Sequence, residues 1–354
     1  MVQPYLTNYR IPVFAELATR FETVVASSTP PGDSGYDAQA KGAPFATHHT
    51  PEVHLPGGAL WQSGLVGLLL RFKPQVVLIT ANPRYLSFWA VLMLGRLLGM
   101  RVVAHGQGPY NKPALSTPAK LAYKAMLALA SAYACYTEYS RQSFARHGLP
   151  ITKLCVADNS LNLQVTVEPD QKTGRERGVL FIGRLREGSM LDVLVAAMDN
   201  VHENPAMADV ELHVVGGGEG QAELEALAQS RPWIHLHGLI YDQQKVADIS
   251  RNCLVGCYPG DAGLSVLHYM ALSCPPVCHD DIARHMGPEP SYVEDGQNGL
   301  LFNANGREAS LTNALSRAFT SDLSGIQQNA YQTYREVSFP SLGQRLLRIL
   351  EEKA

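Results

Sequence analysis

The chain has 354 residues, 46% hydrophobic and 17% charged, with a formal net charge of −3. One hydrophobic core usually stops growing near roughly 250–300 residues, so two domains are expected. The apolar content excludes a largely disordered chain, and the acidic balance excludes a general nucleic-acid binder. The charge is uneven: residues 1–170 carry 14 Lys and Arg against 9 Asp and Glu, and the remainder 15 against 23. A basic first half suits a domain that faces an anionic surface or acceptor. Chance variation between two solvated surfaces accounts for it equally well. The N-terminus lacks a basic segment followed by an apolar run, and no window offers the ~20 uninterrupted apolar residues of a spanning helix. A cytoplasmic protein is therefore expected, with peripheral contact at the inner face of the cell membrane as an option.

In chain order, only three residues precede Pro4, so the first strand is either short or begins upstream of Met1. Ser27–Pro56, rich in Gly, Pro, Ser and His, reads as a long loop. Val76–Thr80 (VVLIT) is a continuous apolar run of the kind that is buried on both faces of a parallel sheet. Leu86–Leu98 reads as a buried helix, and Arg101–Ala104 as a strand ending at His105-Gly106. A helix from about Thr117 to Ser131, a strand Ala132–Tyr136 and a helix from Tyr139 to His147-Gly148 follow. The polar stretch 164–178 is the best linker candidate. A second series then begins, with strands Val179–Ile182, Val210–Val215, Ile234–His237, Leu254–Tyr258 and Pro276–Cys278. Between them lie helices Leu191–Val201, Gln221–Gln229, Gln243–Ser250 and Leu264–Leu272. Alternation of this kind predicts α/β architecture with parallel sheets. Of the six cysteines, Cys253, Cys257, Cys274 and Cys278 form two C-x(3)-C pairs. They lie in apolar strand-like runs, where small buried thiols are common, so reduced thiols are expected rather than a zinc knuckle.

Five segments carry candidate chemistry. In YPGDAGLSVLHYMA (Tyr258–Ala271), small residues precede a helix start. The free amides at Gly263, Leu264 and Ser265 would suit a diphosphate, although an ordinary strand–helix turn has the same composition. In FIGRL a strand delivers Gly183 and Arg184 at its carboxyl end, where ligands of open α/β sheets sit. A guanidinium there can clamp phosphate oxygens or simply form a surface salt bridge. The run VVGGGEG places Gly216, Gly217 and Gly218 after a strand. Its spacing is not G-x-G-x-x-G, so a turn lining a donor cleft is preferred to a dinucleotide fingerprint. His105 ends a buried strand of the first half and either faces the cleft from the other side or is a hydrogen-bonded core residue. Thr137-Glu138 and Asn159-Ser160 follow strand-like runs; Glu138 can be a helix N-terminal acid and Asn159 a turn residue. Asp280-Asp281 reads as a solvated turn pair rather than a metal site.

Taken together these segments resemble the family 4 glycosyltransferases of the GT-B fold, a large group of retaining enzymes. PYLTNYRIPVF (Pro4–Phe14) is similar to the family's first strand-to-helix loop. VVAHGQG and YTEYSRQSFARHGLP are similar to its first-domain cleft segments. FIGRLREGSMLDVL is similar to the F-x-G-R-L-x-x-x-K-G-L-x-x-L opening of the donor domain. VVGGGEG fits the glycine loop, and HMGPEPSYVEDGQNGLLF the closing E-x-G-x-N-G-x-L-F signature. The likeness covers nearly the whole chain. It implies two Rossmann-like domains with parallel sheets facing a central cleft. These would be an acceptor-binding domain over 1–165, a linker over 166–178, a donor domain over 179–335, and a helix within 336–354 packing back on the first domain.

The departures matter. The family's E-x(7)-E motif would begin at Gly260 and end at His268, so both carboxylates are absent and P-G-x-x-G-L-x-x-x-H replaces them. The family's Lys after G-R-L is Ser189, which leaves Arg184 as the main clamp unless Arg186 or Arg284 substitutes. The resemblance implies transfer of a sugar from a nucleoside diphosphate sugar to a hydroxyl of a saccharide or lipid-linked saccharide, with retention, in cell-surface polysaccharide biosynthesis. Arg184 and the Gly263–Ser265 amides would stabilise the diphosphate. His105 would contact the donor sugar, His268 the ribose or a phosphate, and Asn8, Tyr9 and Arg10 the acceptor. A metal is not required, because a guanidinium and a helix terminus supply the charge. Rival readings are a non-catalytic homologue that binds nucleotide or glycan, an epimerase, and a dehydrogenase.

Overall fold

A computed structural model describes residues 1–30, 40 and 42–352. In chain order the first series is β1 (Val2–Tyr5), α1 (Ile11–Leu17), β2 (Val24–Ser28), β3 (Ala46–His49), β4 (Glu52–His54), β5 (Leu60–Gln62), α2 (Leu65–Phe72), β6 (Val76–Thr80), α3 (Leu86–Leu98), β7 (Arg101–Gly106), α4 (Thr117–Leu129), β8 (Ala132–Cys135), α5 (Glu138–Arg146) and β9 (Leu154–Val156). The second is β10 (Gly178–Ile182), α6 (Leu191–His202), β11 (Glu211–Val215), α7 (Gln221–Ala228), β12 (Ile234–Gly238), α8 (Gln243–Ser250), β13 (Cys253–Cys257), α9 (Ser265–Ala271), β14 (Pro276–His279), β15 (Leu300–Phe302), α10 (Arg307–Thr320) and α11 (Ser324–Ser338). The last helix is α12 (Leu342–Glu352). The chain divides into two compact units, Met1–Asn162 with Pro340–Ala354, and Leu163–Phe339.

The first unit holds a seven-stranded sheet in the order β3-β2-β1-β6-β7-β8-β9, and the second a six-stranded sheet in the order β12-β11-β10-β13-β14-β15. Every pairing in both is parallel. Each sheet starts near its middle, winds outward one way and then the other, as doubly wound Rossmann-type sheets do. The strand order therefore reverses between β1 and β6 in one unit and between β10 and β13 in the other. Buried sheets need continuous apolar strands, and Val179, Leu180 and Phe181 of β10 are fully enclosed. Helix α6 covers them with Leu191, Leu194, Val195, Met198 and Val201, a spacing that keeps one face inward. Local chemistry sets the ends. Gly99 stops α3 in the left-handed conformation. Thr137 caps α5 by accepting the Ser140 amide at 3.0 Å, and Asp242 caps α8.

Three sequence expectations change. Ser27–Pro56 is not one loop: β3 pairs along the edge of the first sheet and β4 pairs antiparallel with β5. Residues 31–39 and 41 of that span lie outside the described residues. The polar stretch 164–178 is not a free connector but lies against the second unit. Val167 sits in that unit's core, its amide donates to the Ala271 carbonyl at 3.0 Å, and the Lys172 ammonium donates to the Ser250 and Cys253 carbonyls at 2.6 and 2.9 Å. Within 336–354, residues up to Ser338 finish α11, and only α12 joins the first unit. No helix among the described residues is long and apolar enough to cross a membrane. All six cysteines carry free thiols; five are buried and Cys155 is half-buried.

Helix α12 presents Leu342, Leu346, Ile349 and Leu350 to a core that also contains Val13, Phe14 and Leu17 of α1. At its ends the Arg101 guanidinium donates to the Leu350 carbonyl at 2.7 Å, and Arg345 pairs with Asp158. Leu346 is 1% exposed, so Leu346→Ala leaves a cavity that little can fill. Urea unfolding followed by circular dichroism is expected to show a loss of about 2–5 kcal/mol in the first unit.

Candidate functional site

In a doubly wound sheet, a crevice opens outside the carboxyl ends of the strands where the order reverses. In the second unit that point lies between β10 and β13. The loop leaving β10 carries Gly183 and Arg184, and the loop leaving β13 carries Tyr258 to Leu264. The two are in close contact. The Tyr258 ring stacks on Phe181 with centroids 5.0 Å apart and covers Gly183, where an added Cβ would stand 2.7 Å from its edge. Across the other side, Gly183 donates to the Val215 carbonyl at 3.1 Å and Leu185 to the Gly217 carbonyl at 3.0 Å. Gly216 has φ +151°, and a Cβ there would strike the Gly183 carbonyl. That position is closed to any side chain. The sequence-selected residues Gly183, Gly216, Gly217 and Gly218 thus form one wall at the carboxyl end of this sheet.

Arg184 follows Gly183 in the same loop and is exposed. Arg186 is half-buried and forms a 2.6 Å ion pair with Asp261 of the β13 loop. Burial works against the Arg186 charge, but the Asp261 carboxylate and the Tyr258 hydroxyl outweigh it and hold its pKa above the ordinary guanidinium value. Asp261 lies 75 residues away in sequence, and no local signal in the sequence marks this pair. Arg284, the other substitute cation, is placed on a surface turn with Asp281 and Asn305. Ser189 does not stand in for the missing lysine. Its side chain is fully buried, its hydroxyl donates to the Arg186 carbonyl at 2.5 Å and accepts from the Arg186 amide at 3.3 Å.

The β13 loop is packed against the turn that follows β14. Ala262 donates its amide to His285 Nδ1 at 3.1 Å, and Met286 donates to the Ala262 carbonyl at 3.0 Å. His285 and His279 stack with centroids 3.8 Å apart. Glu289, which the sequence reading passed over within HMGPEPSYVEDGQNGLLF, is 2% exposed, with its carboxylate 3.9 Å from where a Gly263 Cβ would be. Among the described residues the amides of Gly263, Leu264 and Ser265 make no backbone hydrogen bond; Leu264 caps and Ser265 opens α9, where the first amides have no intrahelical partner. The Ser265 hydroxyl is enclosed with no hydrogen-bond partner among the described residues. His268 is the fourth residue of α9, half-buried, and burial pushes its pKa down to about 4. The closing E-x-G-x-N-G segment is a structural turn. Asn298 accepts the Glu294 amide at 2.7 Å and donates to the Tyr292 carbonyl at 2.9 Å. Asp280 and Asp281 also serve turns, accepting the Ala304 and Ala283 amides at 3.0 and 3.1 Å.

In the first unit the corresponding reversal lies between β1 and β6. Asn8 and Tyr9 are exposed on the loop after β1, whereas Arg10 is buried and donates to Asn159 at 2.5 Å. His105, near the end of β7, is 5% exposed and packs on Tyr136 with ring centroids 4.7 Å apart. Its Nε2 has no hydrogen-bond partner among the described residues. Burial first, and the Arg10 charge second, hold its pKa well below the usual histidine range. Arg10, His105, Tyr136 and Asn159 are thus neighbours, although no local pattern groups Asn159 with Arg10. Glu138 pairs with Arg141 at 2.8 Å and accepts from the Gln142 side-chain amide at 3.2 Å along α5.

A model of the family described as "Glycosyl transferases group 1" matches residues 176–321, which include every candidate residue of the second unit. Among solved structures, the Anabaena protein Alr3699/HepE in complex with UDP matches with a TM-score of 0.70 at 14% identity, over 99% of each chain. A glycosyltransferase from Rickettsia africae matches with a TM-score of 0.70 at 13% identity, over 99% of this chain and 97% of that one. The lipopolysaccharide outer core galactosyltransferase WaaB matches with a TM-score of 0.68 at 12% identity, over 100% and 99%. No curated protein matches the chain. The fold is GT-B, with the two parallel-sheet units that the motifs had implied.

His285 is 3% exposed. Burial, with the neighbouring His279, pushes its pKa down to about 4, so the folded protein keeps the ring neutral. The unfolded chain takes up this proton near 6.5, so stability is lost as pH falls from about 6.5 toward 4. Melting curves across that window are expected to decline more steeply for the wild type than for His285→Gln, whose amide can still accept from Ala262.

Proposed function

We propose that the chain is a glycosyltransferase that takes a sugar from a nucleoside diphosphate sugar and passes it, with retention, to a hydroxyl of a saccharide or lipid-linked saccharide in cell-surface polysaccharide biosynthesis. The observation that carries this reading is the reversal point of the second sheet. Its glycine-lined wall, its exposed Arg184 and the amides at Gly263–Ser265, which make no backbone hydrogen bond among the described residues, all lie in the segment that matches the glycosyl transferase model. Backbone amides and a guanidinium aimed at a departing diphosphate stabilise the charge that develops as the glycosidic bond to phosphate breaks. That chemistry asks for no protein nucleophile and no metal. UDP accompanies the Anabaena structure, so a uridine nucleotide is the first donor base to test. His268 is assigned to the ribose or a phosphate. In the first unit we assign His105, kept neutral by burial, to the donor sugar, and Asn8, Tyr9 and Arg10 to the acceptor, with Arg10 acting through its hold on Asn159.

UDP at about 100 times its dissociation constant is expected to stabilise the protein by about 2.7 kcal/mol in a thermal-shift assay. NAD should have no effect. Arg184→Ala should lower sugar transfer by ~10²-fold or more. Wild-type turnover in that variant would remove Arg184 from the clamp. Binding of UDP without transfer to any acceptor would favour a non-catalytic homologue. The absence of a lysine at Ser189 and of carboxylates at Gly260 and His268 makes that outcome the one to watch for.

A peripheral membrane contact belongs to the same reading. On neighbouring α3 and α4, Met93, Leu97 and Leu121 are exposed, Leu97 to 80%, beside Arg96, Lys120 and Lys124. Exposed leucines among basic residues suit an anionic lipid surface. Sedimentation with phosphatidylglycerol vesicles is expected to deplete the wild type and not Leu97→Glu/Leu121→Glu, and binding should weaken as salt rises.

A further inference from the structure

Two adjacent strands of the second unit carry a cluster that the transfer reaction does not use. In the parallel register of β11 and β12, His213 lies beside His235, with Glu211 two residues before it and His237 two residues after its partner. Residues two apart on a strand share a face, so the four side chains line one face at the free edge of the sheet. His213 Nε2 and His235 Nε2 each lie 3.3 Å from a Glu211 carboxylate oxygen. Both ring nitrogens are enclosed and neither makes a hydrogen bond among the described residues. The other nitrogen of His213, Nδ1, lies 3.1 Å from His237 Nε2.

We propose that Glu211, His213 and His235 form a binding site for a divalent transition metal of the zinc class, with His237 holding His213 in the coordinating tautomer. Donors about 2.0–2.1 Å from a tetrahedral zinc ion stand about 3.3–3.4 Å from one another, which is the spacing of both histidine–carboxylate contacts. All three donor atoms lie within 4.8 Å of one another, and rotation of the half-exposed His235 ring closes the remaining edge. With His213 Nδ1–H donating to His237, the lone pair of Nε2 is left for the metal. Ligating imidazoles are commonly oriented in this way. Two neutral imidazoles and one carboxylate suit zinc, cobalt or nickel better than magnesium or calcium, which prefer all-oxygen sites. The Glu211 and His235 side chains are 48% and 38% exposed, so the ion has a route in from solvent and water can fill the fourth position.

Glu211 lies five residues before Gly216, and His213, in register with His235, three residues before it, so the three ligands stand about 10–16 Å along the strand from the glycine wall. The metal would therefore not touch the donor. It would tie β12, which among the described residues has a strand neighbour on one side only, to β11.

The test uses the full-length protein freed of any histidine tag. Titration with Zn²⁺ by calorimetry, and with Co²⁺ by visible absorption, is expected to give one equivalent and a tetrahedral Co²⁺ spectrum. His213→Ala and His235→Ala should each abolish saturable uptake, and His237→Ala should weaken it by ~10–100-fold. UDP-induced stabilisation should survive in all three. No stoichiometric uptake by the wild type, or uptake unchanged by His213→Ala and His235→Ala, would overturn the assignment. Should His213→Ala fail to fold, Glu211→Gln and His235→Ala at the exposed edge supply the same comparison, with folding checked by circular dichroism.

Discussion

The second unit is organised by the close approach of three loops at the point where its strand order reverses. The loop after β10 lies between the loops after β11 and β13, and beside the Arg186–Asp261 ion pair the closest contacts are backbone to backbone or backbone to ring. Gly183 lies under Tyr258, Gly216 against the Gly183 carbonyl, and Gly260 against the Gly188 carbonyl. No side chain fits at these points, so the polypeptide itself forms the wall. Next to it stand the exposed Arg184, the first-turn amides of α9 and the half-buried His268.

The same packing explains how the family's missing charges are handled. Where a lysine would be expected, Ser189 turns inward and closes the short turn that begins at Arg186. Arg186 is not free to replace it in full, since Asp261 already compensates its charge. Glu289 brings a buried carboxylate close to Gly263 from a third loop. The balance of charge near the amides therefore depends on residues from the loops after β10 and β13 and the turn after β14.

The first unit follows the same plan with different chemistry. Arg10, from the loop after β1, meets Asn159, Tyr136 and His105 from the carboxyl ends of β9, β8 and β7, and burial is the largest influence on the histidine. The C-terminal helix closes this unit, so the chain's two ends share one core.

Much of this was legible beforehand, for identifiable reasons. Continuous apolar runs such as Val76–Thr80 must be buried on both faces, and glycines after strands mark tight turns at the carboxyl ends of a parallel sheet. These features gave the α/β class, most elements between residues 76 and 279 to within a residue or two, and the glycine wall; α1, β2, α2, β15, α10 and α11 carried no such signal. Composition misled at Ser27–Pro56, where β3 is held by its edge pairing rather than by an apolar face, and at 164–178, where Val167 and the Lys172 ammonium dock a polar stretch. Order in the chain determined the strands and the turns because those depend on neighbouring residues. Pairings such as Arg186 with Asp261, Arg10 with Asn159, and His213 with His235 were decided by tertiary structure alone. Each joins residues whose separation in sequence carries no signal, and only the winding of the sheet brings them within reach.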